Sequence, residues 1–363
     1  MWPCDSLIKL FKIQHPLVLA PMAGFSTVEL AASVCEAGGL GSIGCATLPP
    51  QVAAKAIQEL RSLTKKPINV NFSCHVPAKV DGIREHTWHE RLAGYYRELG
   101  IDPEPPPARL ELAPFDDVMC AVVEDVKPDV VSFHFGLPAP ELMDRVKRAG
   151  CRVMSSATTV EEALWLQARG VDAIIAQGAE AGGHRGMFLA HDHNSAVASQ
   201  PGTLALVPQV VDAVNVPVIA AGGIADGRGI AAAFALGAAG AQLGTAYLLC
   251  PEAATPTVHR DALRQARADA TVLTNVFTGR PGRVLANRMT REIGPISNTA
   301  PDFPLPLGEL GRLRAAAEPR GSSDWTPLWS GQAAPLAREM AARALTIELA
   351  KQAFERFEQL RGR

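Results

Sequence analysis

The residues best equipped for chemistry lie together, in Gln177-Gly178-Ala179-Glu180-Ala181-Gly182-Gly183-His184-Arg185-Gly186. Glycine has no side chain to hold its backbone away from a bound molecule, so Gly182 and Gly183 permit close approach. Gln177 can donate and accept with one planar amide. His184 brings the side chain whose charge changes most readily near neutral pH, suited to a general base or to holding an anion. The run just before, Val171-Asp172-Ala173-Ile174-Ile175-Ala176, reads as a buried strand that delivers these groups at its tip.

Comparable groups end the other apolar runs. Pro21-Met22-Ala23-Gly24 follows the first, Asn71 closes the third, and His134 sits in Val131-Ser132-Phe133-His134-Phe135-Gly136. Gly222-Gly223 and Gln242-Leu243-Gly244-Thr245 close the last two. Glycines and free N–H groups at two neighbouring strand ends form a phosphate cradle. The amides of Asn71 and Gln177 match the alternating donors and acceptors on the edge of a flat heterocycle. Together with the cradle they point to FMN rather than NAD as cofactor. Plain alternatives stand beside this reading: Asn71 as a turn residue, His134 as a core histidine bonded to backbone. In His191-Asp192-His193 both histidines lack a third ligand nearby and read as exposed loop, so no metal is expected. The strand tips carry no carboxylate pair suited to glycoside chemistry and no carboxylate cluster for a divalent cation.

Positioning these tips requires eight strands. Candidates are 17–20, 41–44, 68–72, 130–135, 152–155, 173–176, 218–221 and 241–243, with amphipathic stretches between them. Runs that are apolar throughout are buried on both faces, as in parallel sheets. Glycines in Ala37-Gly38-Gly39, Ala149-Gly150, Arg169-Gly170 and Leu236-Gly237 sit where left-handed helix caps are wanted. The expected fold is a (β/α)8 TIM barrel. A doubly wound open sheet is the rival, but its GxGxxG fingerprint is missing after the first strand. The barrel is assigned to 1–74, 116–250 and 329–363. Two insertions, 75–115 and 251–328, are expected to form a smaller lid subdomain. Residues 332–360 read as a long final helix with a solvated charged end.

Composition sets limits on function. Of 363 residues 47% are hydrophobic and 20% charged, enough for a large core. A formal net charge of -2 gives no reason to expect nucleic acid or an anionic membrane as partner. The seven cysteines are scattered, with no CxxC pair, and read as reduced thiols. With no signal core and no apolar run long enough to span a bilayer, a cytoplasmic protein is expected.

These motifs resemble the nitronate monooxygenases, formerly called 2-nitropropane dioxygenases. The likeness runs through Leu19-Ala20-Pro21-Met22-Ala23-Gly24, Asn69-Val70-Asn71-Phe72, Ser132-Phe133-His134-Phe135-Gly136, residues 177–186, Ala221-Gly222-Gly223-Ile224, Gln242-Leu243-Gly244-Thr245 and Trp329-Ser330-Gly331-Gln332. It implies an FMN-containing barrel with a smaller second domain. It implies FMN contacts from Asn71, Gln177, Gly182, Gly223 and Gln242 through Thr245, with Met22, Ala23 and Gly222 nearby. It places His184 beside the flavin as catalytic residue and His134 on the substrate side. Some bacterial members carry a tyrosine and lysine cluster in the late insertion; here Tyr247 is the only tyrosine after Tyr96, so that cluster is absent.

The activity this implies is FMN-dependent oxidation of alkyl nitronates, and of nitroalkanes, by O2 to a carbonyl compound and nitrite. A nitronate needs no proton removed, and a protonated His184 would attract it; a neutral nitroalkane needs neutral His184 as base. An FMN-dependent NAD(P)H reductase of enoyl thioesters or quinones is the alternative, and a non-catalytic phosphate-binding barrel a third reading. The expected partners are a small nitro compound and O2, with an exposed lid surface as a candidate homodimer interface.

Overall fold

Apolar runs that the sequence leaves uninterrupted become strands buried on both sides. The computed structural model describes residues 1–104, 106, 112–267 and 269–362. Part of the first insertion and of its proline run, residues 105 and 107–111, lies outside the described residues. The barrel strands are β1 (Leu17–Leu19), β2 (Gly41–Gly44), β3 (Ile68–Ser73), β4 (Val130–His134), β5 (Arg152–Ala157) and β6 (Ala173–Gln177). After a two-residue strand β7 (Gly183–His184) come β8 (Val218–Ala221) and β9 (Gly240–Leu243).

All neighbours in the eight-stranded sheet are parallel, in the order β1-β9-β8-β6-β5-β4-β3-β2. A parallel bridge between Val18 and Leu40 joins the two ends of that order. There the Leu40 N–H donates to the Leu17 carbonyl and the Leu19 N–H to the Leu40 carbonyl, each at 2.9 Å. The ring is a TIM barrel, as expected.

Alternate residues of each strand face opposite ways. Val18, Met154, Ile175 and Ile219 join one core, closed by Leu7 and Phe11 of the helix Ser6–Phe11. Leu17, Val70, Val131, Ile174 and Val218 join the larger core with the surrounding helices. Gly38, Gly150, Gly170 and Gly237, each after a helix, take φ between 76° and 92°, where a side chain would be strained. Side-chain caps start several helices; the Thr27 hydroxyl accepts from Leu30 N–H at 3.0 Å, worth about 1 kcal/mol.

The two insertions share a separate core. Trp88, Leu92 and Tyr96 of the helix Gly82–Glu98 pack with Phe277, Met289, Leu313 and Trp325. Two further strands, β10 (Thr271–Thr274) and β11 (Gly282–Leu285), pair antiparallel, and β11 pairs with β7. His184 is thereby fixed against Gly282 across the seam between barrel and insertion. Sequence reasoning did not anticipate β7, β10 or β11; each is short and lacks a long apolar run. The final helix begins later than expected, Ala342–Leu360, after a turn at Ala334–Leu336. All seven cysteines are free thiols. Among the described residues no helix is long and apolar enough to cross a membrane.

Candidate active site

The strand tips open into a cavity of about 520 Å³. Met22, Ala23, Asn71, His134, Gln177, Gly182, Gly183, His184, Gly222, Gly223, Gln242, Gly244 and Thr245 all line it. Leu243 does not, because it faces the opposite side of β9 from Gln242 and packs, 1% exposed, in the outer core.

One wall is backbone. A Cβ on Gly182 would stand 2.5 Å from Gly331 N and 2.6 Å from Ser330 C, and one on Gly222 would stand 2.8 Å from Thr203 Oγ1. Gly222 also holds φ at 120°. These glycines are required by loops packing against one another before any ligand is considered. The Gly331 N–H donates to Thr245 Oγ1 at 2.9 Å, tying the end of β9 to this wall. No hydrogen bond from the N–H of Gly223 or Thr245 is formed among the described residues. Such free donors suit an anionic group.

The three amides have different tasks. Gln177 spends both ends on its own loop: Nε2 donates to His184 O at 2.9 Å and Oε1 accepts from Gly186 N–H at 2.7 Å. Asn71 Nδ2 donates to Ser132 O and Oγ at 3.1 and 3.0 Å. Gln242 Oε1 is buried with no partner among the described residues. An unpaired buried acceptor costs about 1–3 kcal/mol, which an edge donor of a planar ligand would relieve.

His184 and His134 face the same cavity. His184 Nε2 lies 2.8 Å from Thr278 Oγ1, and that hydroxyl donates to Arg280 O at 3.1 Å. Thr278 therefore accepts from His184, which fixes the Nε2–H tautomer and leaves the Nδ1 lone pair. The ring stands 4.8 Å from Trp329, 5.5 Å from Phe303 and 5.8 Å from Phe135 between centroids. Burial, then the neighbouring His134, Arg280 and His75, push its pKa down to about 3. His134 Nδ1 lies 2.6 Å from Ser156 Oγ. Burial and Arg280 lower its pKa to about 3 as well, against an opposing hydrogen bond to the His184 backbone. Both imidazoles are neutral at pH 7.

Buried charge holds the loop in place. Arg185, 0% exposed, donates to Gly178 O and Gln177 O, each at 2.7 Å, and reaches Gln200 Oε1. Glu162 accepts from Thr158 N–H and hydroxyl and from Phe188 N–H, at 2.6 to 2.8 Å. His191 is exposed, as expected; His193 is not a free loop residue, because its Nε2 lies 3.0 Å from Arg280. Phe135, Thr278, Phe303, Trp329 and Gly331 also line the cavity. Sequence reasoning missed them as site residues, although Trp329-Ser330-Gly331 stood out as a motif; an aromatic in an insertion gives no local sign of what it faces.

The family model described as nitronate monooxygenase matches residues 5–352. A nitronate monooxygenase of Paraburkholderia phytofirmans is 43% identical, over 98% of this chain and 97% of its own. The solved nitroalkane oxidase from Streptomyces ansochromogenes superposes with a TM-score of 0.88 at 39% identity, covering 98% of this chain and 99% of that one. FabK from Thermotoga maritima gives 0.75 at 32% identity, covering 100% and 99%. The matches take in every strand tip around the cavity, and this chain belongs to the nitronate monooxygenase family of oxidoreductases.

Proposed function

We propose that the cavity binds FMN and oxidises alkyl nitronates with O2 to a carbonyl compound and nitrite, and neutral nitroalkanes after loss of an α-proton. One observation carries the reading: a wall of glycines, free N–H groups and an unsatisfied Gln242 acceptor confronts an imidazole kept neutral. The residues fit FMN. Gly182, Gly222, Gly223, Gly244 and Thr245 would take its phosphate, and Gln242 and Asn71 the ring edge. Met22 and Ala23 lie on the same cavity wall. Bound there, FMN would supply the electron acceptor that no side chain of the chain provides.

His184 is the base. Its Nδ1 lone pair takes the α-proton of a nitroalkane, while Thr278 holds the other nitrogen. A nitronate asks only for binding. The neutral state of His184 argues against a protonated imidazole as its anchor. The residues 75–115 and 251–328 act as a lid, placing Thr278 and Phe303 over the cavity beside Trp329 and excluding water.

The test is a visible spectrum of the purified protein, then nitrite release and O2 uptake on adding an alkyl nitronate. A yellow protein that releases nitrite is expected. Colourless protein that FMN cannot reconstitute would sink the reading. Flavin bleached by NADH but not by nitronate would favour the NAD(P)H-dependent enoyl-thioester or quinone reductase.

A further inference from the structure

We propose that Arg280 is the fixed cation of this site: a positioning residue whose buried charge, in place of a protonated imidazole, draws the nitronate anion into the cavity. The inference rests on the nitronate reading above and names what supplies its missing positive charge.

Arg280 lies in the turn between β10 and β11 and is 8% exposed. Its guanidinium carbon stands 3.9 Å from the centroid of Phe135. Phe135 lines the cavity, and its centroid lies 4.4 Å from that of His134 and 5.8 Å from that of His184. Phe135 reaches this position from φ 68°, a left-handed backbone that side chains avoid. One ring thus packs against a cation and against two imidazoles.

The charge is not neutralised locally. The guanidinium donates to the Met187 carbonyl and contacts His193 Nε2, and its Nε has no partner among the described residues. A carbonyl and an imidazole therefore meet it, rather than a carboxylate. Glu162 opposes it, but that carboxylate is occupied by backbone and hydroxyl donors. Asp192 and Asp302 act on the far side, at His193, whose pKa burial and Arg280 lower to about 4. The groups facing His184 are His134, Arg280 and His75. Those facing His134 are Arg280, Arg185 and the His184 backbone. Arg280 stands behind Phe135 and does not itself line the cavity; the cation among the lining residues, Arg314, is bonded to Glu318 at 3.0 Å. Arg280 is thus the cation common to both histidines, and protonating either would place a second charge within about 10 Å of it.

The stacked geometry keeps Arg280 within about 10 Å of both imidazoles. At an effective dielectric near 20, one charge at that range shifts a titration by about one pH unit and an anion's binding by roughly tenfold.

FMN-loaded Arg280→Gln and Arg280→Lys, each assayed with a nitronate and with its parent neutral nitroalkane, test this. Arg280→Gln should raise KM for the nitronate about tenfold. It should change KM for the nitroalkane less than about threefold, and move the acid limb of kcat/KM up by about one unit. Arg280→Lys keeps the charge but not the planar stack. It should bring the nitronate KM back to within about threefold of the unsubstituted protein. Equal effects of Arg280→Gln on the two substrates, or an unmoved acid limb, would overturn the proposal. In the unsubstituted protein, ¹⁵N-histidine NMR should show His134 and His184 neutral at pH 5.5. Imidazoles charged near pH 6.5 would overturn it even if a variant failed to fold. An unsubstituted FMN-loaded protein that does not oxidise nitronates would instead sink the functional reading, while ¹⁵N titrations of the two histidines that stay unmoved in Arg280→Gln would overturn the cation proposal by itself.

Discussion

Two walls enclose the cavity, and they are built by different means. The barrel wall owes much to main chain: Gly182 and Gly222, where packed loops leave no room for a Cβ, and Gly244 beyond β9, alongside the amides of Asn71, Gln177 and Gln242. The insertion wall is side chain: Thr278 and Phe303, with Trp329 just past the second insertion and packed against a second core formed around Trp88, Phe277 and Trp325. His184 lies on the seam, its strand β7 paired to β11 of the insertion. The contrast suggests a division of labour. A backbone wall is rigid and indifferent to the substrate, which suits a constant cofactor. A side-chain wall can change residue by residue, which suits a variable substrate and a tuned base.

Substitutions on the seam and on each wall should then behave differently. The largest effect is expected for His184→Asn. It should lower kcat with a neutral nitroalkane by roughly 10²–10⁴-fold, lower turnover of the nitronate much less, and leave bound FMN visible in the absorption spectrum. Equal losses on both substrates would remove the base role.

On the backbone wall, Gly182→Ala would press a methyl against Gly331 and Ser330. At about 2–3 kcal/mol of overpacking, FMN affinity measured by fluorescence quenching should fall roughly 30–160-fold. Unchanged affinity would mean that this wall does not hold the cofactor.

On the side-chain wall, Thr278→Val removes the partner of His184 Nε2. The tautomer is then unfixed, and kcat for the nitroalkane should drop about tenfold, with FMN affinity unchanged. A loss of FMN would show that the two walls are not separable.

The smallest effect concerns stability. His134 and His184 have folded pKa values near 3, below the ordinary value of 6.5. The unfolded chain binds protons that the folded chain refuses, so the stabilisation is complete above about pH 6.5 and is lost as pH falls towards 3. Unfolding free energies from urea titrations should decline between pH 6.5 and 5 by about 1.5 kcal/mol for each histidine. A flat profile would mean that these imidazoles charge freely in the folded protein.

The barrel wall was largely legible in the sequence because its determinants are local. Glycines at strand ends and uninterrupted apolar runs signal a parallel strand and a close approach wherever they occur. Leu243 was grouped with its neighbours because linear adjacency hides the two-residue alternation that turns it into the core. Gln177 lines the cavity, as its place at a tip implies, while one N–H and one lone pair of its amide hold the loop that follows. His193 read as exposed because its partner, Arg280, is remote in sequence. The insertion wall was not legible for the same reason. Trp329 packs on a core formed between two distant segments and Phe303 meets His75, Phe135 and His184 from far along the chain, and no periodicity in either segment encodes such contacts.

The most direct test of the central claim is anaerobic mixing of the FMN-loaded protein with an alkyl nitronate and, separately, with NADH, while following flavin absorbance. Prompt bleaching by the nitronate, much slower bleaching by NADH, and release of nitrite on admitting air are predicted. Bleaching by NADH with no response to the nitronate would contradict the account.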